Sequence, residues 1–232
     1  DHRDLHSFPT RRSSDLTKHC LNGTSEPNIL NVGAATGGTT EMLQKYGKVV
    51  SVEYDSDCCT FLHEKLGIEA VQASITDLPF ADNWFDLVCA FDVLEHVEDD
   101  KKAVMELLRV LKPGGMVFVT VPAYMQLWSG HDVVNHHKRR YVKKQLRALF
   151  PKYKKPEYVS FFNTLLFPPI YIFRRLANLF PAKNKSSADS DFDVLPGKLT
   201  NTILGSIFKT ELFLLKFLRF PFGVSIMLRF RK

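Results

Sequence analysis

The run Ile29-Leu30-Asn31-Val32-Gly33, followed by Ala34-Ala35-Thr36-Gly37-Gly38, constrains this chain more than any other part of it. A short apolar run that breaks into glycine reads as a buried parallel strand at its carboxyl end. A helix-like segment from Thr39 to Tyr46 comes next, then a second strand, Val49 to Val52, ending on Glu53. Strand, glycine turn, helix, strand and acid, in that order, describe a βαβ unit that binds a nucleoside. Glycine lets the backbone approach a ligand closely, and a carboxylate at Glu53 can accept hydrogen bonds from two ribose hydroxyls. The dinucleotide version of the turn needs G-x-G-x-x-G, and Ala35 stands at its third position, which disfavours a nicotinamide cofactor.

The alternation continues downstream. Glu69 to Ser74, Phe85 to Phe91 and Met116 to Val121 read as three further strands. Between the last two, Asp99 to Leu111 places Val104, Leu107, Leu108 and Leu111 on one helical face, and Lys112-Pro113-Gly114-Gly115 stops that helix. Strands alternating with helices imply an α/β fold with a mostly parallel sheet and ligand crevices at the strand carboxyl ends. The four cysteines, Cys20, Cys58, Cys59 and Cys89, lack C-x-x-C spacing, so the sequence signals neither a zinc site nor a disulfide framework, and no metal is expected. A reducing, cytoplasmic setting is the corresponding expectation. No run of 18 uncharged apolar residues is present to span a membrane, and no apolar segment near the N-terminus reads as a secretory signal.

Taken together, ILNVGAATGG, SVEYD, LPFADNWFDLVCAFDVLEHVEDD and RVLKPGGMVFVTVPA resemble the class I S-adenosylmethionine-dependent methyltransferases in order and spacing, over residues 27–123. The resemblance implies a Rossmann-like, seven-stranded sheet with its last strand antiparallel, and the methyl donor lying across the carboxyl ends of strands one to four. By position, Gly33, Ala34, Ala35, Thr36 and Gly37 would wrap the methionine portion of S-adenosylmethionine. Glu53 would hold the ribose, Tyr54 would lie beside the adenine, and Ser74 and Ile75 would sit at the adenine edge. Phe91 and Asp92 would border the donor where the fourth strand ends. Three positions depart from the family's common pattern: Asn31 replaces an acid, Ala35 a glycine and Ser74 an aspartate. Asn31 and Ser74 keep hydrogen-bonding capacity without charge, and Ala35 requires a backbone angle that a β-carbon tolerates.

Methyl transfer to a hydroxyl is helped by a base of near-neutral pKa, the natural province of histidine. His96 follows the fourth strand in Leu94-Glu95-His96, and His131 and His137 follow the fifth in LWSGHDVVNHHKRRY. These three are the candidate catalytic residues; the bland readings are that Leu-Glu-His orders a loop and that His131-Asp132 caps a turn. HDVVNHHKRRY itself resembles an acceptor-side stretch in a subgroup of the family. Arg139 and Arg140 read either as a bidentate site for phosphate or carboxylate, or as a solvated basic turn.

A helix from Tyr141 to Phe150 and a strand from Glu157 to Phe162 precede an insertion at residues 164–221, and the last strand reads as Gly223 to Phe230. The methyltransferase domain would then comprise residues 17–163 and 222–232. The insertion holds a helix from Pro168 to about Phe180, a polar linker at 183–193 and a wide-faced apolar helix from Leu199 to about Phe220. Charge is uneven along the chain. Residues 17–137 carry 8 Lys and Arg against 17 Asp and Glu, whereas residues 138–232 carry 20 against 5. A basic half with Phe- and Leu-rich helices suits an anionic membrane surface, a packed lid, a dimer interface or nucleic acid; the first of these would place a cytoplasmic chain peripherally at the inner face of a membrane. The chain also resembles a membrane-associated branch of the family that acts on quinone precursors or on lipid-linked and glycan substrates.

The leading expectation is O-methylation of an apolar or lipid-linked small molecule or glycan. The alternatives are a nucleic-acid methyltransferase, disfavoured because Phe91-Asp92-Val93-Leu94 is not an N/D-P-P-Y loop, and an inactive donor-binding scaffold docked on a membrane. Asp4 to Leu16 (DLHSFPTRRSSDL) resembles the in-frame translation of a sequencing adapter, so residues 1–16 are set apart from the fold and native residues before Thr17 are expected to be missing.

Overall fold

The computed structural model describes residue 17 and residues 20–21, 23–179, 198–215 and 217–232. Residues 1–16 and the polar linker at 183–193 lie outside the described residues.

Seven strands form one sheet in the order β3-β2-β1-β4-β5-β7-β6. They are β1 (Asn28–Val32), β2 (Lys48–Glu53), β3 (Ala70–Gln72), β4 (Phe85–Phe91), β5 (Leu111–Pro122), β6 (Tyr158–Phe162) and β7 (Ser225–Arg231). β1 to β5 run parallel, and β7 lies antiparallel between β5 and β6. This is the sheet the resemblance implied. Ile29, Leu30, Phe85, Leu87, Val88 and Val117 are fully buried, as strands covered on both faces require.

The helices are α1 (Gly38–Leu43), α2 (Ser56–Leu66), α3 (Asp100–Val110), α4 (Gly130–Val134), α5 (Lys143–Ala148), α6 (Phe167–Leu179) and α7 (Lys198–Leu215). Local chemistry sets their ends. The Asp55 carboxylate accepts the Asp57 and Cys58 amides at the start of α2, and Gly67 closes it at φ 61°. Asp99 accepts the Lys102 amide at the start of α3.

Boundaries moved where tertiary pairing overrode local signals. Lys112 to Gly115, expected only to stop a helix, belong to β5. There the Gly114 amide donates to the Lys232 carbonyl and the Lys232 amide to the Gly115 carbonyl. The helix expected from Leu199 to Phe220 ends at Leu215. The single Tyr158 hydroxyl proton is shared between the Leu215 and Leu218 carbonyls, at 3.0 and 3.3 Å, and satisfies the helix end. Phe220 then bridges to Phe161 of β6, ahead of Pro221.

The segment between β6 and β7 is docked by a buried carboxylate. Glu211 of α7, 3% exposed, accepts the Thr164 and Leu165 amides from the turn after β6. Aromatic contacts add to it: Tyr124 stacks on Phe161, and Phe167 of α6 lies against Tyr124, Tyr171 and Phe222. Ile172, Phe173, Phe213, Phe217 and Leu218 remain exposed. No helix among the described residues is long and apolar enough to cross a membrane.

Candidate active site

The carboxyl ends of β1, β2, β4 and β5 bring two groups of side chains to one edge of the sheet. The first surrounds the glycine turn. Gly33, Ala35 and Gly37 have φ of 77°, 44° and 85°. A β-carbon on Gly33 would stand 2.5 Å from Cγ2 of Val93, so glycine there lets the loops after β1 and β4 touch. Ala35 bears the left-handed strain that the sequence foresaw, at the position where a glycine is commoner. The turn spends its amides internally: Gly33 and Ala34 donate to the Val52 carbonyl, Gly37 to the Ala34 carbonyl, and Ala35 to Glu53 Oε2 at 2.8 Å. A ligand therefore meets the Cα edge of this turn and not a row of open N–H groups.

Glu53 is buried at the end of β2. Its Oε1 accepts the Tyr54 and Asp55 amides at 2.8 and 3.1 Å. With about four acceptor positions on a carboxylate, three amide bonds leave room for one hydroxyl. Asn31 lies beneath the turn, 1% exposed. Its Nδ2 donates to the Thr39 and Thr40 hydroxyls at 3.0 Å each, which leaves Oδ1 buried and without a hydrogen-bond partner. An orphaned acceptor beneath the glycine turn fits an ammonium group, and Glu53 fits a ribose, so these residues fit S-adenosylmethionine.

Other expected donor contacts are distributed differently. Ile75 is 6% exposed and packs in the core with Leu30, Val32 and Val52. Phe91 turns inward against Phe118, with ring centroids 5.1 Å apart. Strand alternation explains this; the next residue, Asp92, takes φ 53° just past β4, and its Oδ1 accepts the Thr120 hydroxyl at 3.2 Å. Ser74 Oγ pairs with the Thr76 hydroxyl at 2.8 Å. Tyr54 is 76% exposed beside Glu53.

Glu53→Ala is expected to weaken binding of S-adenosylhomocysteine by about 10- to 100-fold, since hydrogen bonds to a charged group contribute about 1.5–3 kcal/mol. Titration calorimetry of the variant beside the native chain checks this.

The second group is the acceptor side. The His96 and His137 rings meet edge to face with centroids 4.6 Å apart, and His131 lies 6.2 Å from His137. All three sequence-chosen histidines thus converge. Several bonds hold the loop after β4 to the segment after β5. The Lys138 amide donates to the Glu95 carbonyl, the Tyr141 hydroxyl to Asp100 Oδ2 at 2.8 Å, and Arg139 to Asp100 Oδ2 at 2.9 Å.

Asp132 organises this segment. Its Oδ2 accepts the Ser129 amide at 2.8 Å, capping α4, and its Oδ1 bonds His137 Nδ1 at 2.9 Å. Arg140 reaches the same carboxylate from Nε and Nη2, at 2.7 and 2.9 Å. Arg140 is 5% exposed and Asp132 0%. The arginine expected to be either a ligand clamp or a solvated turn is neither: it is one half of a buried bidentate ion pair. Arg139 is likewise engaged, with Asp100 and the Glu98 carbonyl.

Glu95, His96 and Asp132 are among the ionisable groups shifted here. Burial pushes the Glu95 carboxyl well above the usual carboxylate range, and Asp92 beside it adds to this. Burial, then His137, holds the His96 imidazole below its ordinary value. Burial would raise Asp132, but its bonds to His137 and Arg140 prevail and hold it far below the ordinary range. Ala35, Asp92, Tyr124 and His136 all take left-handed backbone angles around this edge, the kind of strain that clusters at functional sites.

The sequence singled out neither Glu95 nor Asp132 for a site role; it read Asp132 only as a cap and Glu95 only as part of Leu-Glu-His. The signal lay in chain order, since a carboxylate flanks a histidine in both loops.

A family model described as a methyltransferase domain matches residues 30–119. The chain is 31% identical over 149 residues to the ubiquinone/menaquinone biosynthesis C-methyltransferase UbiE of Cronobacter sakazakii, covering 58% of this chain and 59% of that protein. It thus spans less than two thirds of the relative's length. Among solved structures, a candidate sarcosine dimethylglycine methyltransferase of Galdieria sulphuraria superposes with a TM-score of 0.64 at 16% identity, covering 100% of this chain and 88% of that one. The [4+2]-cyclase SpnF superposes with a TM-score of 0.60 at 18% identity, covering 95% and 80%. These two similarities establish the fold alone.

Proposed function

We propose that this chain, whose residues 30–119 match a family model described as a methyltransferase domain, is a class I S-adenosylmethionine-dependent enzyme that methylates a hydroxyl oxygen on an apolar or lipid-linked small molecule or glycan. The observation that carries the reading is the convergence of His96, His131 and His137 on the sheet edge that also bears the glycine turn and Glu53. Bound S-adenosylmethionine would supply an electrophilic methyl group on a sulfonium sulfur.

The chain's own residues supply position and proton transfer. Asn31 Oδ1 would hold the donor's ammonium end and Glu53 its ribose. His96, exposed and kept neutral at pH 7 by its lowered pKa, would receive the acceptor hydroxyl and its proton. Asp132 fixes His137 through Nδ1, which sets the ring that His96 leans on. The aromatic cluster of Tyr124, Phe161 and Phe167 adjoins the same segment and supports an apolar acceptor. Exposed Phe213 and Phe217 on and just after α7, with the basic balance of residues 138–232, support delivery from an anionic membrane surface.

A second reading, methylation of a ring carbon in a quinone precursor, is favoured by the relatives' named C-methyltransferase activity. A phenolate is nucleophilic at oxygen and at the adjacent ring carbon, so the same base could serve either. Radiolabelled S-adenosylmethionine offered with a bacterial lipid extract and, separately, with total RNA tests the proposal. Label in an organic-soluble methyl ether is expected. Label on a ring carbon selects the second reading, and label in RNA alone or in nothing overturns both.

A further inference from the structure

Glu95, His96 and His137 each offer one ligand atom, and the three atoms lie within 4.8 Å of one another. We propose that these residues bind a divalent transition-metal ion, and that this ion receives the acceptor's oxygen. No other such trio occurs among the described residues.

Glu95 is the first reason. It is 0% exposed, yet neither carboxyl oxygen has a hydrogen-bond partner among the described residues. Buried polar atoms are nearly always paired, so a carboxyl group left bare beside two imidazoles points to a missing partner that is itself a cation. The donor set is the second. Two imidazoles and one carboxylate suit zinc, manganese, iron or cobalt better than magnesium or calcium, which prefer oxygen throughout.

The surroundings are the third. His137 Nδ1 is bonded to Asp132 Oδ1 at 2.9 Å, which leaves Nε2 for the ion. Metal-bound histidines are commonly oriented by a carboxylate in this way. Asp132 in turn is fixed by Arg140 and Ser129, so the ring has little freedom. His96 is exposed and sits on the open side. An ion held there keeps positions for water or for an acceptor hydroxyl, whose pKa it would lower. Bonds of about 2.0–2.2 Å require the three atoms to draw together from their present spacing. His96 is free of packing on its outer side and can supply that adjustment.

Ion binding is measured apart from methyl transfer; with the ion in place His96 serves as a ligand and the proton of the ion-bound acceptor hydroxyl passes to water, and this statement about the acceptor's oxygen rests on the proposed function. The test uses the full chain without a histidine tag, stripped with a chelator and titrated with cobalt(II) while its visible d–d absorption is followed. Zinc(II) competition by calorimetry accompanies it. One ion per chain is expected, with His96→Ala and Glu95→Gln each weakening binding by at least about 100-fold, the upper end of what loss of an outer-shell partner alone would cause. His131→Ala should leave it unchanged. His96→Ala decides the matter if Glu95→Gln fails to fold, because His96 lies at the surface. No cobalt band or zinc heat from the native chain, or an affinity unaltered in His96→Ala, overturns the proposal. Titration with S-adenosylhomocysteine separates the two readings. Donor binding without the ion defeats only this inference, and ion binding without the donor defeats only the proposed function.

Discussion

Replacing Asp132 with alanine is expected to lower the unfolding free energy by about 3–5 kcal/mol, the penalty for leaving a buried charge unpaired. Arg140 would be that charge. It is 5% exposed and bonds the Asp132 carboxylate at both ends, and among the described residues its Nη1 bonds the Ala123 carbonyl, at 3.2 Å. The variant would also lose the α4 cap from Ser129 and the bond to His137. Asp132→Asn, which keeps an acceptor but no charge, should fall between the two. Urea unfolding followed by circular dichroism reads the differences, and a loss below about 1 kcal/mol, the median for an exposed ion pair, would show that this pair is solvated. The sign with pH follows from the depressed native pKa. The stabilisation is complete above the ordinary aspartate value of about 4 and is lost as pH falls through it toward the lower native value. The native chain should therefore lose stability on acidification below about pH 4, and Asp132→Ala should lose less over that interval.

His96→Ala is expected to reduce kcat by about 10²- to 10⁴-fold, the usual contribution of a positioned acid or base. Binding of S-adenosylhomocysteine should be unaffected, because among the described residues the Asn31 side chain bonds Thr39 and Thr40, and the Glu53 side chain bonds Ala35, Tyr54 and Asp55, all on the donor side. The surface position of His96 makes the variant safe to fold. His131→Ala should cost less, since the His131 ring stands 6.2 Å from that of His137, against 4.6 Å for His96, and is engaged with the side chain of Asn135. Single-turnover kinetics under saturating donor separates the chemical step from binding. An unchanged rate in His96→Ala would remove it from the chemistry and return Leu94-Glu95-His96 to an ordering role.

Much of this was legible in the chain itself, for reasons that differ along it. The glycine turn and Glu53 were readable because local backbone needs, a positive φ at Gly33 and Gly37 and a carboxylate at a strand end, are written in residue type at fixed spacing. The β4 strand was readable to the residue, since Phe85 to Phe91 is an apolar run buried throughout its middle. The three histidines were chosen from their place after β4 and β5, and parallel neighbours in a sheet bring such loops together. What stayed hidden was pairing at long range. Nothing local distinguishes Arg140 from Arg139, yet one is buried on Asp132 and the other reaches Asp100 across about 40 residues. Lys112 to Gly115 joined β5 through distant partners, Lys232 on Gly114 and Gly115 and Phe85 beside Leu111. Metal-like convergence was invisible for a similar reason: the cysteine spacing said nothing, and Glu95 and His137 meet only in three dimensions.

The order β5-β7-β6 has a bearing on how the chain is made. Until residues 225–231 leave the ribosome, β6 has no strand to pair with and the outer edge of β5 lies bare. A nascent chain ending before Ser225 can assemble at most β3-β2-β1-β4-β5, with Tyr158 to Phe162 unpartnered and an apolar strand edge open to other chains. Synthesis thus passes through a vulnerable interval that closes only with the insertion of β7 between its two neighbours.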